Sequence, residues 1–152
     1  MSCNRLDVIE AVQEFLDDVH MKYRIDENVF SFSMTIDSSL SSVDVRIYCD
    51  ETRIAIYALS PLNARPQTMD DVMSFITYAN YDMIHGCFEM DLSDGEIRFR
   101  NICRFDSKVP SQLEILMTFQ TAINMMKKFG DGLMKMFIGI DDPESAYKAC
   151  IE

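Results

Sequence analysis

The sequence predicts a single α+β domain, an antiparallel sheet of about five strands with helices packed on it. Apolar residues recur every three or four positions in some segments and every second position in others, and these segments follow the order α-β-β-β-α-β-β-α-α. Composition sets the bounds. The chain has 152 residues, 48% hydrophobic and 26% charged, with only five glycines and four prolines, which excludes collagenous, low-complexity and disordered classes. A chain of this size can bury one self-sufficient core. No internal repeat or linker-like stretch divides it, so residues 1–152 read as one domain.

The elements follow in order. Leu6, Ile9, Val12, Leu16 and Val19 place an amphipathic helix over residues 5–21, capped by Asn4 with Asp7 three positions on. Phe30, Phe32, Met34 and Ile36 alternate with Ser31, Ser33 and Thr35, the period of a half-buried strand. Val43, Val45, Ile47 and Cys49 repeat that period. After the Asp50-Glu51-Thr52 turn, Ile54, Ile56 and Ala58 complete a three-stranded meander. Pro61 and Pro66 bracket a loop, because proline denies hydrogen bonds to helix and ladder alike. Thr68 opens a second helix with the stripe Val72, Phe75, Ile76, Ala79 and Met83, ending near His85-Gly86.

A hairpin comes next. With Asp94-Gly95 as a two-residue turn, Leu92 faces Ile97, Met90 faces Phe99 and Phe88 faces Asn101. On the other face Asp91 then meets Arg98 and Glu89 meets Arg100. Ser111 and Glu114 form a capping box for a long helix carrying Leu113, Leu116, Phe119, Ile123 and Met126 on one side. Gly130 and Gly132 are expected to break or kink it, and Gly139 to end it. Asp142-Pro143-Glu144 starts a last short helix.

Asn80, the run Gly86-Cys87-Phe88-Glu89-Met90-Asp91 and the run Asp94-Gly95-Glu96-Ile97-Arg98-Phe99-Arg100 together resemble the YbjN family. The Pro61 to Pro66 loop and Pro143-Glu144-Ser145-Ala146 extend the resemblance to roughly residues 25–149. It implies a type III secretion chaperone-like fold and an acidic, dimeric, cytoplasmic protein with a chaperone-like or regulatory role. It brings no catalytic residue with it.

The charge is unusual. Twenty-five acids against 14 Lys and Arg give a net −11, which opposes phosphate backbones and anionic membranes, so neither nucleic acid nor membrane is expected as a partner. Five cysteines, an odd number without CxxC spacing, read as reduced cytoplasmic thiols. His85, Cys87 and Glu89 alternate along one strand face. Same-side strand residues stand ~6.6–6.8 Å apart, too wide to share one ion without a second element. The sequence has only two histidines and no glycine-rich phosphate loop, so no catalytic residue, metal or cofactor is expected.

Two features point to a partner. Asp7, Glu10, Glu14 and Asp18 lie at helical spacing on one face of the first helix with no lysine among them, which reads as a solvated, solubility-promoting face or, alternatively, as a docking stripe for a basic peptide or protein. Met117, Met125 and Met134 belong to a methionine-rich third helical region that can serve a partner or a homodimer seam. The expected function is a non-catalytic cytoplasmic protein-interaction module of chaperone-like or regulatory type. The competing reading is a small-molecule-binding protein or enzyme using a pocket between sheet and helices. An exposed apolar groove rimmed by acids favours the first, and a pocket with several convergent polar groups the second.

Overall fold

The computed structural model describes residues 3–152. Ten elements run in the order α1 (Arg5–Asp18), β1 (Arg24–Asp26), β2 (Val29–Thr35), β3 (Ser42–Cys49), β4 (Arg53–Leu59), α2 (Met69–Tyr81), β5 (Cys87–Met90), β6 (Ile97–Arg104), α3 (Gln112–Ile138) and α4 (Pro143–Ile151). The α+β class stands, with a sheet of six antiparallel strands in the order β1-β2-β3-β4-β6-β5 rather than about five. The added strand is β1. It has three residues, all exposed, so it carries no burial alternation to read; Glu27 at φ 53° closes its tight turn into β2.

The helices lie on one side of the sheet. Phe30, Val45, Ile47, Ile56 and Phe99 point into that side and are fully buried, as are Val8, Val12 and Leu16 of α1 and Ile115, Met126 and Leu133 of α3. α1 is closed by the predicted Asn4–Asp7 capping box and ends at Asp18, not 21. Its buried stripe is Val8, Ala11, Val12, Phe15 and Leu16, while Leu6 and Val19 face solvent. The reason is Phe15, whose ring meets Phe119 edge-on at 5.6 Å and turns the helix toward α3. α2 buries Val72, Phe75, Ile76 and Ala79 as expected, but it ends at Tyr81, leaving Met83 in the loop beyond.

α3 is one continuous helix through Gly130 and Gly132, opened by the Ser111–Glu114 capping box and ended by Gly139 in the left-handed conformation, φ 70°. Both inner glycines serve close packing instead of a kink. A Cβ on Gly130 would lie 2.5 Å from the Ser38 hydroxyl, and one on Gly132 only 2.4 Å from the Phe75 ring. Leu113, expected on the buried side, is exposed; Ile115 takes its place. The buried Asn101 ties sheet to helix, its amide donating to the Thr118 carbonyl at 3.1 Å.

The β5–β6 hairpin differs from the expected register by two residues. Phe88 stands opposite Phe99, Glu89 opposite Arg98 and Cys87 opposite Arg100. The turn is longer than two residues: Asp91 N–H donates to the Glu96 carbonyl and Gly95 N–H to that of Asp91. An even slip leaves every side chain on its own face, which is why the alternation could not detect it. What sets the register lies elsewhere in the chain. The Ala64 N–H donates to the Gly95 carbonyl at 2.8 Å, and a Cβ on Gly95, at φ 78°, would sit 2.0 Å from the Ala64 oxygen. Asn80 of α2 completes the clamp by bonding both the N–H and the carbonyl of Phe88.

Candidate functional site

With one side of α2 committed to the core, Tyr78 and Tyr81 are left on its outer side, three positions apart and so neighbours on the helix surface. α4 supplies the facing wall. Its cap is Asp142, which accepts from the Ser145 N–H at 2.9 Å, and Pro143 sits in the first turn where its missing N–H costs nothing. This cap fixes the turn that carries Tyr147. The Tyr147 ring stacks with Tyr78 at 5.6 Å and lies parallel to Phe129 at 6.3 Å. Phe129 in turn meets Phe88, and Phe88 meets Phe99 of the central sheet. A continuous series of rings thus runs from the sheet to the surface.

Where it emerges there is an open groove of about 690 Å³ between α2 and α4, lined by Met73, Ser74, Thr77, Tyr78, Tyr81, Asp82 and Tyr147. Tyr81 is 86% exposed and Ile84, just beyond, 90%. The lining holds little free polarity. The Thr77 hydroxyl already donates to the Met73 carbonyl at 2.7 Å, which leaves Ser74 and the phenols as uncharged polar groups and Asp82 as the one ionic group. Asp70 and Asp71 stand at the other end of α2, and residues 67–85 contain no Lys or Arg. From the α4 side Lys148 is paired with Glu144 at 2.8 Å. Such a surface can bury apolar side chains and hold a cation against phenol faces. It offers no nucleophile–base pair.

The residues singled out in the sequence lie elsewhere. Asp7, Glu10, Glu14 and Asp18 are all exposed along the solvent side of α1, and none is in an ion pair among the described residues. Asp7 is engaged locally, accepting from the Asn4 N–H. Met117 is 60% exposed, whereas Met125 and Met134 are half-buried against the core. At ~100° per residue, the nine positions between Met125 and Met134 put them on opposite sides of α3, so the three methionines are not brought into one surface. The tyrosines of the groove were missed. Their signal was present in the sequence: Tyr78 and Tyr81 fall outside the Val72, Phe75, Ile76, Ala79 stripe, in a segment with acids and no bases.

The cysteines are spread through the fold. Burial pushes the fully buried Cys49 thiol up to about 12, and burial also raises Cys3, Cys103 and Cys150, holding them as thiols. Arg100 donates to the Cys87 sulfur at 3.6 Å; this bond and Glu89 raise the Arg100 pKa. Among the described residues no group of three or more His, Cys, Asp or Glu is arranged to hold a metal ion, and no helix is long and apolar enough to cross a membrane.

No family model matches this chain, and no curated protein matches its sequence. Among solved structures, YbjN from E. coli, described as a proposed transcription regulator, matches 86% of this chain and 89% of its own, with a TM-score of 0.58 at 11% identity. The chain therefore has a YbjN-like α+β fold.

Proposed function

We propose that the protein is a non-catalytic interaction module whose α2–α4 groove takes an apolar, positively charged segment of another protein. The observation that carries this reading is the lining: three tyrosines and a methionine in an open groove, with Asp82 at one end and no cluster of convergent polar groups. The role is chaperone-like or regulatory, in line with the regulator role proposed for YbjN. Its place is the cytoplasm, where five thiols without a pairing pattern stay reduced. The acidic stripe of α1 offers a separate surface to a basic partner, and Met117 on α3 is free to contribute to a homodimer seam.

The test is selection from a random peptide library displayed against the whole protein. Enriched peptides should combine Lys or Arg with aromatic or aliphatic residues and bind less tightly as salt rises. Tyr81→Asp, at a highly exposed position, should abolish their binding without lowering the melting temperature. Enrichment of acidic peptides, or binding unchanged by Tyr81→Asp, would reject the reading.

A further inference from the structure

The face of the sheet turned away from the helices is chemically unlike the rest of the chain. Its outward positions hold six arginines, Arg24, Arg46, Arg53, Arg98, Arg100 and Arg104, against three carboxylates, Asp26, Asp44 and Glu89. Asp50 pairs with Arg53 at 3.0 Å, and Asp91 and Glu96 stand beside Arg98, so on a chain of net −11 the free positive charge of this face collects at Arg24 and Arg46, with Arg104 at the far edge. Two of the three strand carboxylates are engaged within the face: Glu89 lies 2.8 Å from Arg98 and 3.6 Å from Arg100, and Asp44 accepts from the Ser33 hydroxyl. Arg24, Arg46 and Arg104 are in no ion pair among the described residues.

Aromatic rings stand among these cations. Register places Arg46, Tyr57 and Arg100 side by side across β3, β4 and β6. The Tyr57 ring carries the Arg98 guanidinium 4.2 Å above it and meets Tyr48 edge-on at 5.5 Å. Tyr48 is 39% exposed. Toward β1 the face dips into a depression of about 540 Å³ where Lys22, Arg24 and Arg46 converge with Ser31 and Ser33.

We propose that this face binds single-stranded RNA, with a base stacked on Tyr48 beside the Arg98-capped Tyr57 ring and phosphates held by Arg46, Arg100 and the Lys22–Arg24 depression. The ligand must alternate anions with π-faces, because the face alternates guanidinium groups with rings. An acidic peptide would use the arginines and leave the rings idle. A duplex keeps its bases stacked inside, out of reach of the tyrosines. Ser31, Ser33 and Asp44 set hydroxyl and carboxylate groups beside the cations, where a 2′-hydroxyl can both donate and accept. Net charge does not forbid this. The acids of α1 lie on the far side of a helix ~10–12 Å across, and at physiological salt the screening length is ~8 Å. The face is separate from the α2–α4 groove, and the two proposals stand or fall independently.

Fluorescence anisotropy on the full chain at physiological salt tests it, using a labelled single-stranded RNA of mixed A and U, with the same sequence as DNA, an RNA duplex and a polyglutamate peptide as competitors. The single-stranded RNA should bind most tightly, with affinity falling as salt rises. Tyr48→Ala should weaken it about fivefold or more, and Arg46→Gln should make the log–log salt slope shallower by about 0.7. Both positions are exposed, and unchanged melting temperatures confirm the fold. Glu10→Gln/Glu14→Gln, on the far side, should leave the Kd within about twofold. Absence of RNA binding, equal competition by DNA, duplex or polyglutamate, or no effect of Tyr48→Ala or Arg46→Gln would each overturn the proposal.

Discussion

The helix-covered side of the sheet and its open side are assembled from the same strands, yet they are held by different forces. On the covered side Phe30, Ile47, Ile56 and Phe99 are fully buried, and the rings of Phe99, Phe88, Phe129, Tyr147 and Tyr78 touch in sequence out to the surface. Close packing of this kind punishes any change of volume. On the open side the contacts are ion pairs and cation–ring pairs between half-exposed side chains, such as Arg98 with Glu89 and with Tyr57. Each contributes at most about 1 kcal/mol. The open face can therefore carry a binding chemistry of its own without endangering the fold. The groove between α2 and α4 is more constrained: Tyr81 is free to change, but Tyr147 and the rings behind it are the outer end of the core.

The largest effect that would expose this contrast is at Gly132. A side chain there would meet the Phe75 ring at 2.4 Å and the Cys150 sulfur at 2.9 Å, so it would force apart the point where α2, α3 and α4 cross. Gly132→Val should cost about 3 kcal/mol in a urea titration, and the near-ultraviolet dichroism of the stacked Tyr78 and Tyr147 should weaken with it. Arg98→Met on the open side is the matching change. It removes the Glu89 ion pair and the cation over Tyr57, yet it should cost less than about 1 kcal/mol in the same titration. A larger loss for Arg98→Met than for Gly132→Val would reverse the comparison.

The same contrast explains what the sequence disclosed. Periodicity reports which side chains are buried, so the sheet, the helices, both capping boxes and most of the core were legible. It is blind to contacts that no alternation records. The hairpin register depends on Ala64 meeting Gly95 and on Asn80 clamping Phe88, contacts between parts of the chain that an even slip leaves undisturbed in pattern. Gly130 and Gly132 read as helix breakers because their neighbours across the fold, Ser38 and Phe75, are remote in sequence. The acidic stripe of α1 was legible because it lies on one helix. Tyr78 and Tyr81 fall outside the α2 stripe in the sequence, but the groove they form with α4 and the arginine face were not legible, since each is assembled from two or more elements whose facing is settled only by tertiary packing.

The smallest predicted effect asks whether it is burial or the side of the sheet that decides the energetics. Asp131 lies on the helical side but is exposed, and its carboxylate accepts from both the N–H and the hydroxyl of Ser39 in the β2–β3 loop. These two bonds, with Lys135 nearby, hold the Asp131 carboxyl below the usual carboxylate range. A lowered folded-state pKa means that the unfolded chain binds the proton more readily. The stabilisation is therefore complete above the unfolded carboxyl pKa, about 3.9, and fades as pH falls below that value and through the folded one. Asp131→Asn keeps an acceptor and removes the charge. At neutral pH it should cost only about 0.5 kcal/mol, because solvent screens an exposed group. Asp50, Asp91 and Asp142, whose carboxyls are lowered by their own hydrogen bonds, titrate equally in both proteins and cancel from the difference. Urea titrations of the two proteins should thus converge as pH falls below about 4. A gap as large as that of Gly132→Val, or one that widens as pH falls, would show that an exposed contact on the helical side is worth more than its burial allows.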